Sequence, residues 1–260
     1  MSEKWLRRIV PVAVFVIALM AWEAAVRLYA IPQYLIPGPS VVLATLARDW
    51  PSLAPSLWFT LKLTFAALAA AVAGGVLLAV GLTVSRWAEY AFLPFAVVLQ
   101  VTPIIAIAPL ILIYVDSTFA ALLICAWIVA FFPILANTVI GLRSADANLR
   151  ELFTLYRASP WQRLRWLLAP AALPYFLAGL RIAGGLSLIG AVAAEFVAGS
   201  AGKETGLASR VLEASFRNEI PRMFAALALI SLTGIAIHLV FDRLSRRLLG
   251  RWHDSELQRG

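Results

Sequence analysis

The sequence predicts an all-α integral membrane protein with six transmembrane helices, and three observations carry that prediction. Hydrophobic residues make up 62% of the 260-residue chain and charged residues only 14%, more apolar material than a soluble domain can cover with polar surface. Six runs reach the roughly 20 mainly apolar residues that a span needs. The 22 Lys and Arg lie in short flanks between those runs rather than on one soluble face, which is the pattern of membrane topology. The net charge of +8 therefore points to no nucleic-acid partner.

The first span is residues 9–29. Lys4, Arg7 and Arg8 precede it as in a signal peptide, but the apolar run continues and no small-x-small cleavage site closes it, so it reads as a retained span. The prolines of Ile36-Pro37-Gly38-Pro39-Ser40 forbid a continuing helix, and a short amphipathic piece follows over 41–50. The second span, 61–84, carries Gly74, Gly75 and Gly81, small enough to let another helix approach closely. The third, 90–115, holds Pro94, Pro103 and Pro109, so it is kinked or broken, relies on neighbours for its freed carbonyls and suits a pathway lining. The fourth, 118–142, contains Pro133 and Asn137. The fifth is 175–198; a polar stretch over 199–221 leads to the sixth, 223–244, and a short basic tail. Residues 1–260 read as a single transmembrane domain.

Residues 143–174 are the long polar interruption with a helical pattern of its own. Leu149, Leu152, Phe153 and Tyr156 recur at i, i+3, i+4 and i+7, with Asn148 and Glu151 spaced like a helix-starting cap. Ser159, Pro160 and Gln162 supply a second cap, a first-turn proline and a capping-box partner. Two short helices are thus expected to meet near Arg157-Ala158-Ser159. An amphipathic loop lying on the membrane and a knob that inserts into a partner both fit this pattern. Fourteen Lys and Arg fall on the side of the termini and this loop, against seven on the other, so the positive-inside rule places both termini and the loop in the cytoplasm.

No catalytic residue, metal site or cofactor is expected on this chain. The single cysteine, Cys125, lies in an apolar run and forms neither a disulfide nor a metal cluster. His238 and His253 are isolated, without partners for a metal or a catalytic triad. Gly202-Lys203-Glu204 lacks the glycine and the Ser or Thr of a phosphate loop; Val197 and Glu204 stand in those places. Charges inside spans point to function, because each costs about 2.5 to 3.5 kcal/mol at a helix centre. Arg181 and Glu195 lie near opposite ends of the fifth span; Glu195 is expected to line a gate or pathway or to pair with a neighbouring helix, and Arg181 to snorkel to the headgroups. Gln100, Pro103 and Asn137 are further pathway candidates, with bridging between helices as the other reading of the two amides. Asp116 is expected in solvent. Leu207, Val211, Leu212 and Phe216 recur on one face of an outer amphipathic stretch, 205–219.

Several segments together carry a family resemblance. In the loop these are Glu151-Leu152-Phe153, Arg157-Ala158-Ser159-Pro160-Trp161-Gln162 and Pro170-Ala171-Ala172-Leu173-Pro174. Elsewhere they are Ile36-Pro37-Gly38-Pro39-Ser40, Phe131-Phe132-Pro133-Ile134 with Asn137-Thr138, Gly179-Leu180-Arg181 and Ala194-Glu195-Phe196. In order and spacing the chain resembles the membrane permease subunit of an ABC importer, in the branch for nitrate, sulfonates, taurine and thiamine-pyrimidine or riboflavin precursors.

That resemblance implies a type I importer permease fold in the bacterial inner membrane, working as a homodimer with two ABC ATPase subunits that bind ATP and Mg. It also implies a periplasmic or lipid-anchored solute-binding protein. Residues 143–174 become the coupling loop, with Asn148, Leu149, Glu151, Leu152, Phe153, Tyr156, Arg157, Ala158, Ser159 and Trp161 facing the ATPase. Leu152 and Phe153 replace two usual alanines, and Arg157 replaces a glycine suited to a left-handed turn, a conformation that costs more for arginine. The rival classes are a membrane scaffold and an ion-coupled carrier acting without an ATPase; the poverty of buried charge counts against the carrier.

Overall fold

The structure, a computed structural model, describes residues 3–199 and 205–249. His253, the tail arginines Arg251 and Arg259, and Gly202-Lys203-Glu204 lie outside the described residues. All regular elements among the described residues are helices: α1 (Glu3–Leu28), α2 (Pro39–Arg48), α3 (Trp50–Val84), α4 (Arg86–Val101), α5 (Ile104–Tyr114) and α6 (Thr118–Arg143). After these come α7 (Ala147–Leu155), α8 (Pro160–Arg163), a π-helical turn (Leu164–Leu168), α9 (Ala169–Ala198), α10 (Leu207–Phe216) and α11 (Ile220–Leu249). Among the described residues five helical segments are long and apolar enough to cross a membrane, and α4 with α5 makes a sixth if they count as one broken crossing.

That break bears out the expectation that the third span is kinked or broken, and it places the break. At Thr102 and Pro103 the chain turns through 105°. Proline lacks the N–H needed to continue the helix and pushes the residue before it into extended backbone, and Thr102 sits at φ −75°, ψ 122°. Pro55, Pro94, Pro109, Pro133 and Pro174 all lie inside helices. Two expected boundaries also move outward: α3 starts at Trp50 rather than 61, and α9 is continuous through the π-helical turn with α8, making one helical segment from Pro160 to Ala198. Pro51 and Pro160, among the first two residues of α3 and α8, forfeit N–H groups that have no partner there.

Helix ends follow local chemistry. Ser85 and Ser117 accept hydrogen bonds from the Ala88 and Ala120 N–H groups and so cap α4 and α6. Helices α1, α7 and α10 finish alike, with Ala30, Arg157 and Asn218 at φ of 48°, 50° and 55°. In each, the positive-φ residue bonds back to the carbonyl three residues earlier and its successor to the one five earlier, which is a Schellman turn.

Internal packing divides the chain into two compact units: Met1–Trp58 with Gly199–Ser231, and Phe59–Ala198 with Leu232–Gly260. In the first, Leu53, Leu207, Val211, Ala225 and Ala226 form the core, and Trp22 lies 6.0 Å from Phe224. Glu23, a charge on α1 that sequence reading passed over, accepts from the Ser40 N–H (3.0 Å) and hydroxyl (2.7 Å) and so satisfies the start of α2. The apolar side chains of residues 9–18 stay exposed, as in Val12 and Phe15, which suits a lipid-facing span.

In the second unit α6 packs most extensively against α9. Small residues permit it: a Cβ on Gly141 would sit 2.8 Å from Ala172 Cα, and one on Gly190 2.9 Å from Ala126 Cα. Around this pair lie two apolar clusters, one with Ile134, Leu135 and Ala183, the other with Leu63, Cys125 and Ala191. Arg181, expected to snorkel, instead pairs with Asp242 of α11 at 3.3 Å. The outer amphipathic stretch forms α10, with Leu207, Ala208, Val211 and Ala214 buried. Phe216, expected on that face, is 81% exposed, because it is the last helical residue before the Asn218 turn.

Candidate functional site

The polar loop folds as two short helices with a tight turn between them. Asp146, rather than the expected Asn148, caps α7: its Oδ1 accepts from the N–H groups of Asn148 (2.8 Å) and Leu149 (3.2 Å). Asp146 stands one residue before the helix, where a side-chain oxygen reaches the first free N–H groups. Arg157, at φ 50°, then closes the helix as the left-handed residue of its Schellman turn. Ser159 opens α8 with the expected capping box: the Gln162 N–H donates to Ser159 Oγ (3.2 Å), and the Ser159 N–H donates to Gln162 Oε1 (2.7 Å).

Two arginines lock this unit to itself and to the span before it. The Arg163 guanidinium donates to Thr154 Oγ1, tying α8 to α7. The Arg150 guanidinium donates to the Arg143 carbonyl at the end of α6, and Arg143 pairs with Glu89 of α4 at 2.8 Å. Beyond α8 the π-helical turn runs directly into α9. The knob is therefore bonded to α6 on one side and continuous with α9 on the other.

Its outer surface is apolar and aromatic. Leu149, Leu152, Tyr156 and Trp161 are exposed, and Phe153 and Ala158 are partly buried. Glu151, Arg157 and Ser159 are exposed beside them. Sequence reasoning missed Leu155 (80% exposed) and Trp166 (66% exposed), the latter with Arg165 stacked at 5.2 Å over its ring. An exposed leucine and tryptophan in a polar loop were the available signal. Such side chains on a rigid support form the composition of a protein-docking surface.

The pathway candidates separate. Gln100 lines a cavity of about 310 Å³ with Thr102 and Ile104 from the α4–α5 break, Phe132 and Pro133 from α6, and Leu186 from α9. Pro103 is exposed at the break itself. Asn137 donates to the Pro133 carbonyl at 2.8 Å. Glu195 is 1% exposed and accepts from Thr60 Oγ1 at 2.8 Å. Asp116 is exposed at the α5–α6 connection. His238 is exposed on α11, and among the described residues no cluster of His, Cys, Asp or Glu is placed to hold a metal ion.

Around α10 the first unit carries an ionic network. Glu213 meets Arg210 at 2.8 Å and Arg217 at 3.0 Å; the hydrogen bond from Arg210 is the main cause holding its carboxyl below the ordinary value of 4.5. Arg210 also donates to Ser56 (3.0 Å), and Arg222 to Ser52 (3.2 Å) and Glu219 (3.2 Å).

The chain is similar to known proteins. The riboflavin transport system permease protein RibX of Chloroflexus aurantiacus is 34% identical over 91% of this chain and 87% of its own length. The formylaminopyrimidine transport permease protein ThiX of Halalkalibacterium halodurans is 32% identical over 92% of this chain and 94% of its own. The crystal structure of an amino acid ABC transporter with histidines superposes with a TM-score of 0.64 over 78% of this chain and 97% of that one; at 18% identity this shows the fold. Residues 71–250 match the family of binding-protein-dependent transport system inner membrane components. The chain belongs to that family: it is a multi-pass inner-membrane permease component of an ABC importer, binding no cofactor and catalysing no reaction itself, with ATP hydrolysed by a partner ATPase.

Proposed function

We propose that two copies of this chain form the translocation pathway of an ATP-driven importer, with the α7–α8 knob seated in a cleft of each ATPase subunit. In this reading the termini and the knob are cytoplasmic, and residues 1–260 act as one permease domain. A solute-binding protein, periplasmic or lipid-anchored, delivers solute to the opposite face. The observation that carries the reading is the exposed Leu149, Leu152, Leu155, Tyr156 and Trp161 surface on a knob braced by Arg150 and Arg163.

Closure of the ATPase dimer draws the two knobs together. Because Arg150 holds the end of α6 and α8 continues into α9, movement of the knob reaches the two helices that pack most closely. They and the α4–α5 break then reorient around Gln100, Pro103, Asn137 and Glu195. A ligand-driven change of this kind requires the knob to contact the two ATPase states with different free energy. For the cargo, identities of 34% and 32% to permeases named for riboflavin and formylaminopyrimidine, against 26% to one named for aliphatic sulfonates, favour a small pyrimidine-containing heterocycle over a sulfonate or nitrate.

The test reconstitutes the permease with its ATPase and binding protein in vesicles. Deleting residues 148–159, or replacing Glu151 with Lys, should abolish assembly or uncouple hydrolysis from uptake. Transport-coupled hydrolysis that survives the deletion overturns the coupling role. A thermal-shift screen of the cognate binding protein against riboflavin, pyrimidines, sulfonates and nitrate decides the cargo.

A further inference from the structure

We propose that an arginine-lined cavity at the joint of α3, α4, α6 and α7 binds the phosphate of an anionic membrane lipid. The cavity holds about 550 Å³ and draws its lining from α3, α4, α6, α7, α8 and the π-helical turn, all within the second unit. Arg143, Arg150 and Arg163 reach it from α6, α7 and α8, and Glu89 is the carboxylate opposite them. This goes beyond the import reading and does not depend on the cargo.

Charge is in excess there. One carboxylate and the negative ends of α3 and α6, worth about half a charge each, leave roughly one of the three guanidinium charges uncompensated. Donors are in excess too. Arg143, Arg150 and Arg163 each spend one terminal nitrogen, on Glu89, the Arg143 carbonyl and Thr154 respectively. Arg150 Nε is buried and makes no hydrogen bond. A guanidinium carries five N–H donors in a planar fork that fits a phosphate two oxygens at a time.

The remaining walls decide between a lipid and a free anion. Leu82, Leu142, Leu167 and Leu168 line the same space. Inorganic phosphate gains nothing from them, whereas a phospholipid can place its phosphate on the arginines and its glycerol and first methylenes against the leucines. The cavity also lies at the right level: α3 and α6, both long enough to span, end beside it at Val84 and Arg143, and headgroups occupy the zone where spans end.

The experiment uses the full-length chain in complex with its ATPase subunits, released from nanodiscs that contain phosphatidylglycerol and phosphatidylcholine in equal amounts, with retained lipid counted by native mass spectrometry. Phosphatidylglycerol should be retained about tenfold over phosphatidylcholine. Arg143→Gln and Arg163→Gln should each reduce that preference by about tenfold, Arg163→Lys, which keeps the charge but not the fork, should retain only part of it, and Arg165→Gln, an exposed residue outside the cavity, should leave it unchanged. Equal retention of the two lipids, or a preference indifferent to Arg143 and Arg163, overturns the proposal. Displacement of phosphatidylglycerol by millimolar inorganic phosphate overturns the lipid source. Lipid held by the isolated chain but absent from the ATPase complex shows a partner carboxylate in the site and also overturns it.

Discussion

The Thr60 hydroxyl donates a 2.8 Å hydrogen bond to the Glu195 carboxylate, joining α3 to α9 at a point where neither side chain reaches the surface. Removing this donor takes one bond from a carboxylate that is buried from solvent. Thr60→Val, close in volume, should destabilise the chain by about 1 to 3 kcal/mol, with Glu195→Gln milder because it keeps an acceptor facing Thr60. Unfolding titrations in mixed micelles check both; Thr60→Val at wild-type stability would mean that the bond is idle.

Arg157 occupies the left-handed position that glycine fills most easily. Arg157→Gly should therefore stabilise the knob by about 1 kcal/mol while keeping the turn, and Arg157→Val, β-branched, should cost more than the arginine does. Proteolytic nicking of the loop, faster in Arg157→Val and slower in Arg157→Gly, is the readout.

Two glycines on α9 should respond in opposite ways to alanine. At Gly190 a Cβ would lie 2.9 Å from Ala126 Cα on α6, so Gly190→Ala must separate backbones and should destabilise the chain by more than 1 kcal/mol. At Gly185 a Cβ would meet nothing within 4 Å, so Gly185→Ala should add about 0.5 to 1 kcal/mol through helix propensity. Thermal denaturation followed by helical circular dichroism distinguishes them.

Glu213 predicts an acid-side weakness. Its carboxyl is held below 4.5 in the folded chain, mainly by the hydrogen bond from Arg210, so the charged form is favoured by folding. Its stabilisation is full above pH 4.5 and is lost as pH falls through the lowered value. Glu213→Gln should flatten the loss of stability as pH falls below 4.5. Equal acid sensitivity in the variant and the wild type would place that sensitivity elsewhere.

Much of the loop was legible because its signals are local. Ser159, Pro160 and Gln162 lie within four residues, and their capping box forms from hydrogen bonds that need no distant partner. The Asn148 cap failed for a related reason. Asp146 competes for the same N–H groups from one residue before the helix, and residue spacing ranks two adjacent candidates poorly. The pathway candidates were harder to place, since Gln100 is brought to Phe132 and Leu186 only by the folded arrangement of three helices.

The sequence by itself determined the class, the number of apolar runs and the position of the polar two-helix loop, because burial length, proline and caps act over a few residues. It marked Pro94, Pro103 and Pro109 as breakers without telling which one turns the chain. The tertiary structure put the 105° break at Pro103 and left Pro94 and Pro109 inside helices. It also paired Arg181 with Asp242, Thr60 with Glu195 and Arg150 with the end of α6. Those choices depend on which long-range partner lies within hydrogen-bond reach, and no spacing along the chain encodes that.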